Sequence, residues 1–196
     1  SNPVDVRYDF DVMTQDGTAA SSAGDYTPTT TAFEVPALTT TPVNGLGNAT
    51  FTVPVSADGV VEVPETILAF VNNMNAQGRA ISMSAPETLT VTSADTATLD
   101  INDVTVVEGD GDQTLVQMTV TLSNEVSSPV TVAYSTADGT AIVGITANYG
   151  DEDYDASTGD LNFIGSAGEQ QTINVYVNGD NIVELDELLT VNLGAV

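Results

Sequence analysis

An all-β fold, built as two tandem antiparallel β-sandwiches, is predicted by three features of this sequence. Apolar residues recur at every second position, turn-forming residues interrupt the chain about every ten residues, and one half of the chain repeats the other. The alternation runs through VDVRYDFDV, ATFTVPV, LTVTSADTATLDI, LVQMTVTL, PVTVAYST and TINVYV. A period of two turns one face of each run toward a core, so each is read as a strand. Thr and Val dominate these runs, and Gly, Asp, Asn and Pro separate them. With 196 residues, 41% of them hydrophobic, the chain can fill two sandwiches of ordinary size, and the predicted division is 1–102 and 103–196.

The repeat is visible in short matches. TQDGTA at 14–19 returns as TADGTA at 136–141, and SADGVVEVPET at 56–66 returns as NGDNIVELDEL at 178–188. Asp16 to Asp138 and Asp58 to Asp180 are both 122 residues apart. GDY at 24–26 matches EDY at 152–154 at a spacing of 128. Six extra residues within AIVGITANYGD are balanced by six around TTTPVNGLG, so loops absorb the difference. SNPVDVRY at the start matches SSPVTVAY at 127–134, which opens the first copy at a turn, without the two preceding strands. In the second copy those two strands are expected in DVTVVEG and LVQMTVTLS. ELLTVNLGAV matches ETILAFVNNM, and no counterpart of LTVTSADTATLDIND follows it, so the second copy lacks its final strand within this sequence.

Composition narrows the function. Twenty-eight acidic residues stand against two basic ones, Arg7 and Arg79, for a formal net charge of -26. Such a surface repels nucleic acid and anionic membranes and attracts divalent cations, while also favouring solubility. There is no Cys and no His, which removes disulfides, thiolate chemistry, sulfur-based zinc sites and the commonest general base. No apolar run approaches the roughly 20 residues needed to span a bilayer as a helix. No secretory leader opens the sequence, and Ser1 in place of an initiating Met suggests a mature or excised segment. Paired carboxylates could serve a glycosidase, but the chain has no Trp and 6% aromatic residues, too few to stack a sugar. No catalysis is expected.

Five stretches together resemble the Calx-beta family: VVEGDG, PVTVAYSTADGTA, DYDASTGDLNF, the acidic NGDNIVELDEL, and the terminal DIND. The resemblance covers nearly a whole family repeat in the second copy and the later two thirds of one in the first. It implies seven-stranded, immunoglobulin-like antiparallel sandwiches with calcium, Ca2+, bound among loops and strand ends at one end. Carried onto this sequence, it implies Glu108, Asp153, Asp180, Glu184 and Glu187 as ligands in the second copy. In the first it implies Asp25, Asp58, Glu62, Glu65 and Asp103, with Asn102 as a further candidate. Asp103 sits at the junction, where an ion would also fix the angle between repeats. High-affinity family members carry runs of consecutive Asp where this chain has ADG and GDN, which implies weaker binding or fewer ions.

The residues themselves fit that chemistry. Calcium takes six to eight oxygens in irregular geometry, so carboxylates converging from separate loops suit it. Glu62 and Glu65 would face opposite ways in a strand, and Pro64 between them points to a turn or a bulged strand entry. The same acids also serve as ordinary turn formers and solvated loop charges. GDGD at 109–112 reads as a hairpin turn or a metal loop, GDEDYD at 150–155 is similar, and Tyr154 reads as a packed anchor beside it. Asn48-Ala49-Thr50 fits a glycosylation acceptor.

The expected role is a non-enzymatic, calcium-binding structural or adhesive segment of an extracellular surface or matrix protein, with neighbouring repeats, identical subunits or a matrix ligand as partners. The alternative is a secreted filament subunit whose incomplete sandwiches are completed by strands from neighbouring subunits.

Overall fold

The computed structural model describes residues 8–35, 50–75, 77–78, 85–144 and 152–196, and β-strands are the regular elements among them. The chain divides into two compact units, Ser1–Asp58 with Glu62–Ser93, and Gly59–Val61 with Ala94–Val196.

Among its described residues the second unit holds eight strands: β5 (Leu99–Ile101), β6 (Thr114–Leu122), β7 (Val130–Asp138), β8 (Val143–Gly144), β9 (Tyr154–Asp155), β10 (Thr158–Phe163), β11 (Gln170–Val177) and β12 (Leu189–Leu193). They form two sheets, in the orders β10-β7-β12 and β5-β6-β11-β9-β8. Every pairing is antiparallel except the short parallel contact of β8 with β9. Alternation explains the packing: Val116, Val120 and Leu122 of β6 point inward, as do Ile173 and Val175 of β11. Val120, Leu122, Ile173 and Val175 meet Val132, Leu161 and Phe163, with Tyr154 in the same core. A two-sheet sandwich closes around these side chains.

The first unit holds β1 (Tyr8–Asp16), β2 (Thr30–Val35), β3 (Glu65–Asn75) and β4 (Glu87–Val91) in one antiparallel sheet of order β2-β1-β3-β4. Phe10 and Phe33 are register partners across β1 and β2, and their rings stack at 5.5 Å. Among the described residues its buried core comprises Ala19, Tyr26 and Ile67, flanked by Val53, Leu89 and Val91.

The two units share one register. Val12 pairs with Val71 and Asp16 with Ile67, just as Tyr134 pairs with Leu193 and Asp138 with Leu189. Likewise Met13 pairs with Thr30 and Tyr8 with Val35, as Ser135 pairs with Thr158 and Val130 with Phe163. The spacing of 122 therefore runs the whole length of β1, and Tyr8 corresponds to Val130. This corrects the match of SNPVDVRY with SSPVTVAY, which sets Tyr8 against Tyr134. Two Tyr residues in similar surroundings mislead; ladder partners do not. Residues 1–7 lie outside the described residues.

Three expected strands differ. ATFTVPV is not a strand over its described residues 50–55; only Val55 forms a bridge, to Tyr26. Its counterpart β11 is held by β6, and no counterpart of β6 is present among the described residues of the first unit. LTVTSADTATLDI is divided: β4 pairs with β3 and ends opposite Glu65, where β3 begins, whereas β5 pairs with β6 in the other unit. The ladder partner ends, so the strand ends. DVTVVEG forms no strand, and Val107 in it is 87% exposed, because alternation without a ladder does not hold an extended segment. Residues 110–112 of GDGD are consequently a bend rather than a hairpin connection. Asn48 lies outside the described residues.

Candidate metal sites

In the first unit the site is assembled at the end of β1. Asp16 closes that strand, and Gly17 then passes so close to Thr66 that a Cβ would collide with its carbonyl oxygen. The turn is strapped to the start of β3: Thr18 N–H donates to Thr66 Oγ1 at 3.1 Å, Thr66 N–H donates to Thr18 Oγ1 at 2.8 Å, and Ala19 N–H donates to Thr66 O at 3.1 Å. Asp16 also receives the Tyr26 hydroxyl at 2.6 Å and Ser21 N–H at 3.1 Å. These bonds to the charged form hold its carboxyl below the usual carboxylate range, the Tyr26 bond first.

Tyr26 anchors the neighbouring acid. Asp25 accepts Ala20 N–H on its carboxylate at 2.6 Å, and its carbonyl accepts Ser56 N–H at 3.0 Å. Glu65 is the first residue of β3, and Glu62 lies in the non-strand segment before it. Asp25, Glu62 and Glu65 thereby bring one carboxylate oxygen each to within 4.8 Å of one another, all three half-buried. Two oxygens that each sit about 2.4 Å from one calcium ion are at most about 4.8 Å apart, so these carboxylates fit a shared cation. The donors are all hard oxygens, as calcium or magnesium requires and as soft metals do not. Burial raises the Glu65 carboxyl above its ordinary value, and the negative charges of Asp25 and Glu62 raise it further. Three acids this close need a cation or a proton between them.

The second unit repeats most of this scaffold, without the bond to Thr66 Oγ1 because Leu188 stands at the equivalent place. Tyr154 donates to Asp138 at 2.6 Å, Val143 N–H donates to Asp138 at 3.0 Å, and Ile142 N–H donates to the Asp153 carboxylate. Asn178 N–H donates to Asp153 O at 2.9 Å, and Ala141 N–H to Leu188 O at 3.0 Å. Burial, with the Asp138 bond next, pushes the Tyr154 phenol up to about 12. Gly139 passes Leu188 as Gly17 passes Thr66.

The acids of this unit gather more loosely. Glu187 faces Asp153 closely enough to share a proton, which raises its carboxyl; its burial and the charges of Asp153, Glu184 and Glu108 add to the rise. Glu108 accepts Asp180 N–H at 3.1 Å, and Asp180 accepts Ile182 N–H at 2.6 Å, which uses one oxygen of each in fixing the loop. Among the described residues, the cluster of three within 4.8 Å is that of the first unit.

Of the other expected ligands, Asp58 is exposed and outside that cluster. Asn102 and Asp103 lie in the second unit, where the Asn102 side-chain oxygen accepts Thr119 N–H and its amide donates to Asp103 O at 3.3 Å. The supporting pair, Asp16 and Asp138, escaped notice as site residues. The signal was present, because DGT and DY recur together in both copies.

The Calx-beta domain profile matches the chain twice, over residues 3–103 and 92–196. No curated protein matches the chain. Among solved structures, the chain is similar to "CBD12 from CALX1.2" at 20% identity, covering 97% of this chain and 68% of that one, with a TM-score of 0.37. It is similar also to "calcium binding domain CBD12 of CALX1.1" at 20% identity, covering 97% and 67%, again with a TM-score of 0.37.

Proposed function

The chain belongs to the Calx-beta domain family, whose tandem domains bind calcium in exchangers, and from that premise we propose that it is a calcium-binding structural repeat segment of an extracellular surface or matrix protein. The observation that carries the reading is the convergence of Asp25, Glu62 and Glu65 within 4.8 Å. Metal-free, the three charges repel and loosen the loops that bear them. Asp25, Glu62 and Glu65 would hold the ion, which supplies the positive charge that ties the 17–25 turn, the acidic segment and the start of β3 together. Glu108, Asp153, Glu184 and Glu187 support a second, weaker site.

The proposed role is mechanical and adhesive rather than catalytic. Tandem β-repeats give length, and a net charge of -26 keeps neighbouring chains from clumping. The partners proposed are flanking repeats, identical chains or a matrix ligand, with nucleic acid excluded by charge.

Thermal melting in chelator and in calcium tests the binding. A ligand at 100 times its dissociation constant stabilises by about 2.7 kcal/mol, a rise on the order of 10 °C in the midpoint of a small domain. Asp25→Asn combined with Glu65→Gln abolishes the rise in the first unit. An unchanged midpoint of the parent chain in calcium would rule the reading out.

A further inference from the structure

Asn178 and Gly179 directly follow β11, and the second unit constrains the identity of both. A Cβ at position 179 would collide with the carbonyl oxygen of Gly109 and lie 2.8 Å from that of Asp112, so glycine is required there. At position 178 a side-chain amide is used at both ends. Its nitrogen donates to Glu152 O at 3.1 Å, and its oxygen accepts Gln113 Nε2 at 2.9 Å. The same Gln113 nitrogen donates to the Asp155 carboxylate at 2.9 Å, and Asn178 N–H donates to Asp153 O at 2.9 Å. The end of β11 is thereby clasped to both sides of Tyr154 and to the residue that precedes β6. In the first unit the spacing of 122 sets Ser56 and Ala57 at these places, which keeps the backbone bond, Ser56 N–H to Asp25 O, but offers no amide.

An asparagine followed by glycine carries a built-in reaction. With no side chain on the glycine to shield it, the following amide nitrogen can attack the asparagine side-chain carbonyl carbon. A carbon–nitrogen bond forms to the glycine nitrogen, whose proton passes to solvent, and the side-chain nitrogen leaves as ammonia. Water then opens the resulting five-membered imide at either carbonyl, giving aspartate or isoaspartate. No oxidant, metal or enzyme is needed. The packing that demands Gly179 and the clasp that uses the Asn178 amide therefore keep a reactive pair in place, while the clasp itself opposes the attack. The side chain has to leave Gln113 and Glu152 before its carbonyl carbon can turn to the Gly179 nitrogen.

We propose that Asn178 is a self-modification site, deamidated through attack by the Gly179 nitrogen whenever the clasp of Gln113 and Glu152 opens, and that the product irreversibly loosens the second unit. Local opening of this kind sets the rate, since the reaction proceeds only from the open form. Each consequence follows from the bonds already named. A carboxylate at position 178 has no donor for Glu152 O, and it places a negative charge beside Asp155, with which it shares the Gln113 amide. The isoaspartate form also lengthens the main chain by one methylene directly after the N–H that holds Asp153. The first unit, with Ser56 and Ala57, is spared.

The test ages the full 196-residue chain in chelator at neutral pH, so that its outcome is independent of calcium, beside a synthetic peptide of residues 174–184 (NVYVNGDNIVE) that has no fold to protect it. Peptide mapping by mass spectrometry follows position 178. The expected result is a mixture of isoaspartate and aspartate there, formed in the folded chain at least about tenfold more slowly than in the peptide. Gln113→Ala, at an exposed residue, removes one bond of the clasp and speeds the conversion about two- to tenfold. Gln171→Ala, which removes a glutamine bond to Asn162 O elsewhere on β11, leaves the rate unchanged. Asn178→Asp lowers the melting midpoint of the second unit. The proposal is overturned by a folded chain that never converts at 178 while the peptide does, by conversion as fast as in the peptide, by aspartate as the sole product, by equal rates in Gln113→Ala and the parent, or by an Asn178→Asp chain that melts with the parent.

Discussion

Tyr154 is buried to 1% exposure with its hydroxyl on Asp138, and Tyr26 repeats the arrangement on Asp16. Each ring fixes the backbone beside an acid, Asp153 or Asp25, so the tyrosines act on the sites by positioning. The Tyr154 phenol is raised from 10.0 to about 12, so the folded state holds its proton more tightly than the unfolded state. Its contribution is complete below pH 10 and is lost as pH rises toward 12. Melting of the second unit should therefore fall across that window in the parent chain and lose this component in Tyr154→Phe. Glu65 is also raised, above 4.5, by burial and by Asp25 and Glu62. In chelator its stabilising proton is present below 4.5 and lost as pH climbs through the higher folded value, so acidification from neutrality raises the first unit's midpoint. Glu65→Gln should be more stable than the parent at neutral pH without metal and should show a blunted response to calcium; a variant that melts lower in chelator contradicts the repulsion argument. Tyr154 was legible in the sequence as an anchor. Its acceptor was not singled out, because the bond spans 16 residues and only the fold brings the two together.

At the scale of the strand, TINVYV and ATFTVPV carry the same alternation, yet the first lies in β11 and the second forms only a bridge. Alternation reports which face can be buried; a ladder partner decides whether the segment becomes a strand. The same distinction explains DVTVVEG, whose valines are exposed, and the division of LTVTSADTATLDI between β4 and β5. It also predicts unequal costs at equivalent positions. Ile173 is fully buried under β6, so Ile173→Ala should destabilise the second unit by about 2–5 kcal/mol. Phe51→Ala, at the half-buried counterpart, should cost the first unit less than the about 3–5 kcal/mol typical of a buried Phe. Denaturant unfolding of both variants measures the contrast, and equal losses would show that the two interiors are closed alike.

Over the whole molecule, 28 acids and two bases leave self-repulsion that no neutral core offsets. Raising monovalent salt from about 0.01 to 0.15 M shortens the screening length from about 30 to 8 Å, and the melting midpoint in chelator should rise with it. A midpoint that falls would show that attractive ion pairs outweigh the repulsion. The all-β class, the tandem repeat, the exclusion of thiol and histidine chemistry and the acids eligible as ligands were all determined by the sequence, because they follow from residue type and spacing alone. Which of those acids converge was decided by tertiary structure. Asp25 and Glu65 are 40 residues apart and become neighbours because Thr18 and Thr66 tie one turn to the start of β3, while Asp58, only seven residues from Glu65, is left outside. A local pattern fixes what a side chain can do; the ladder it joins fixes where that side chain stands.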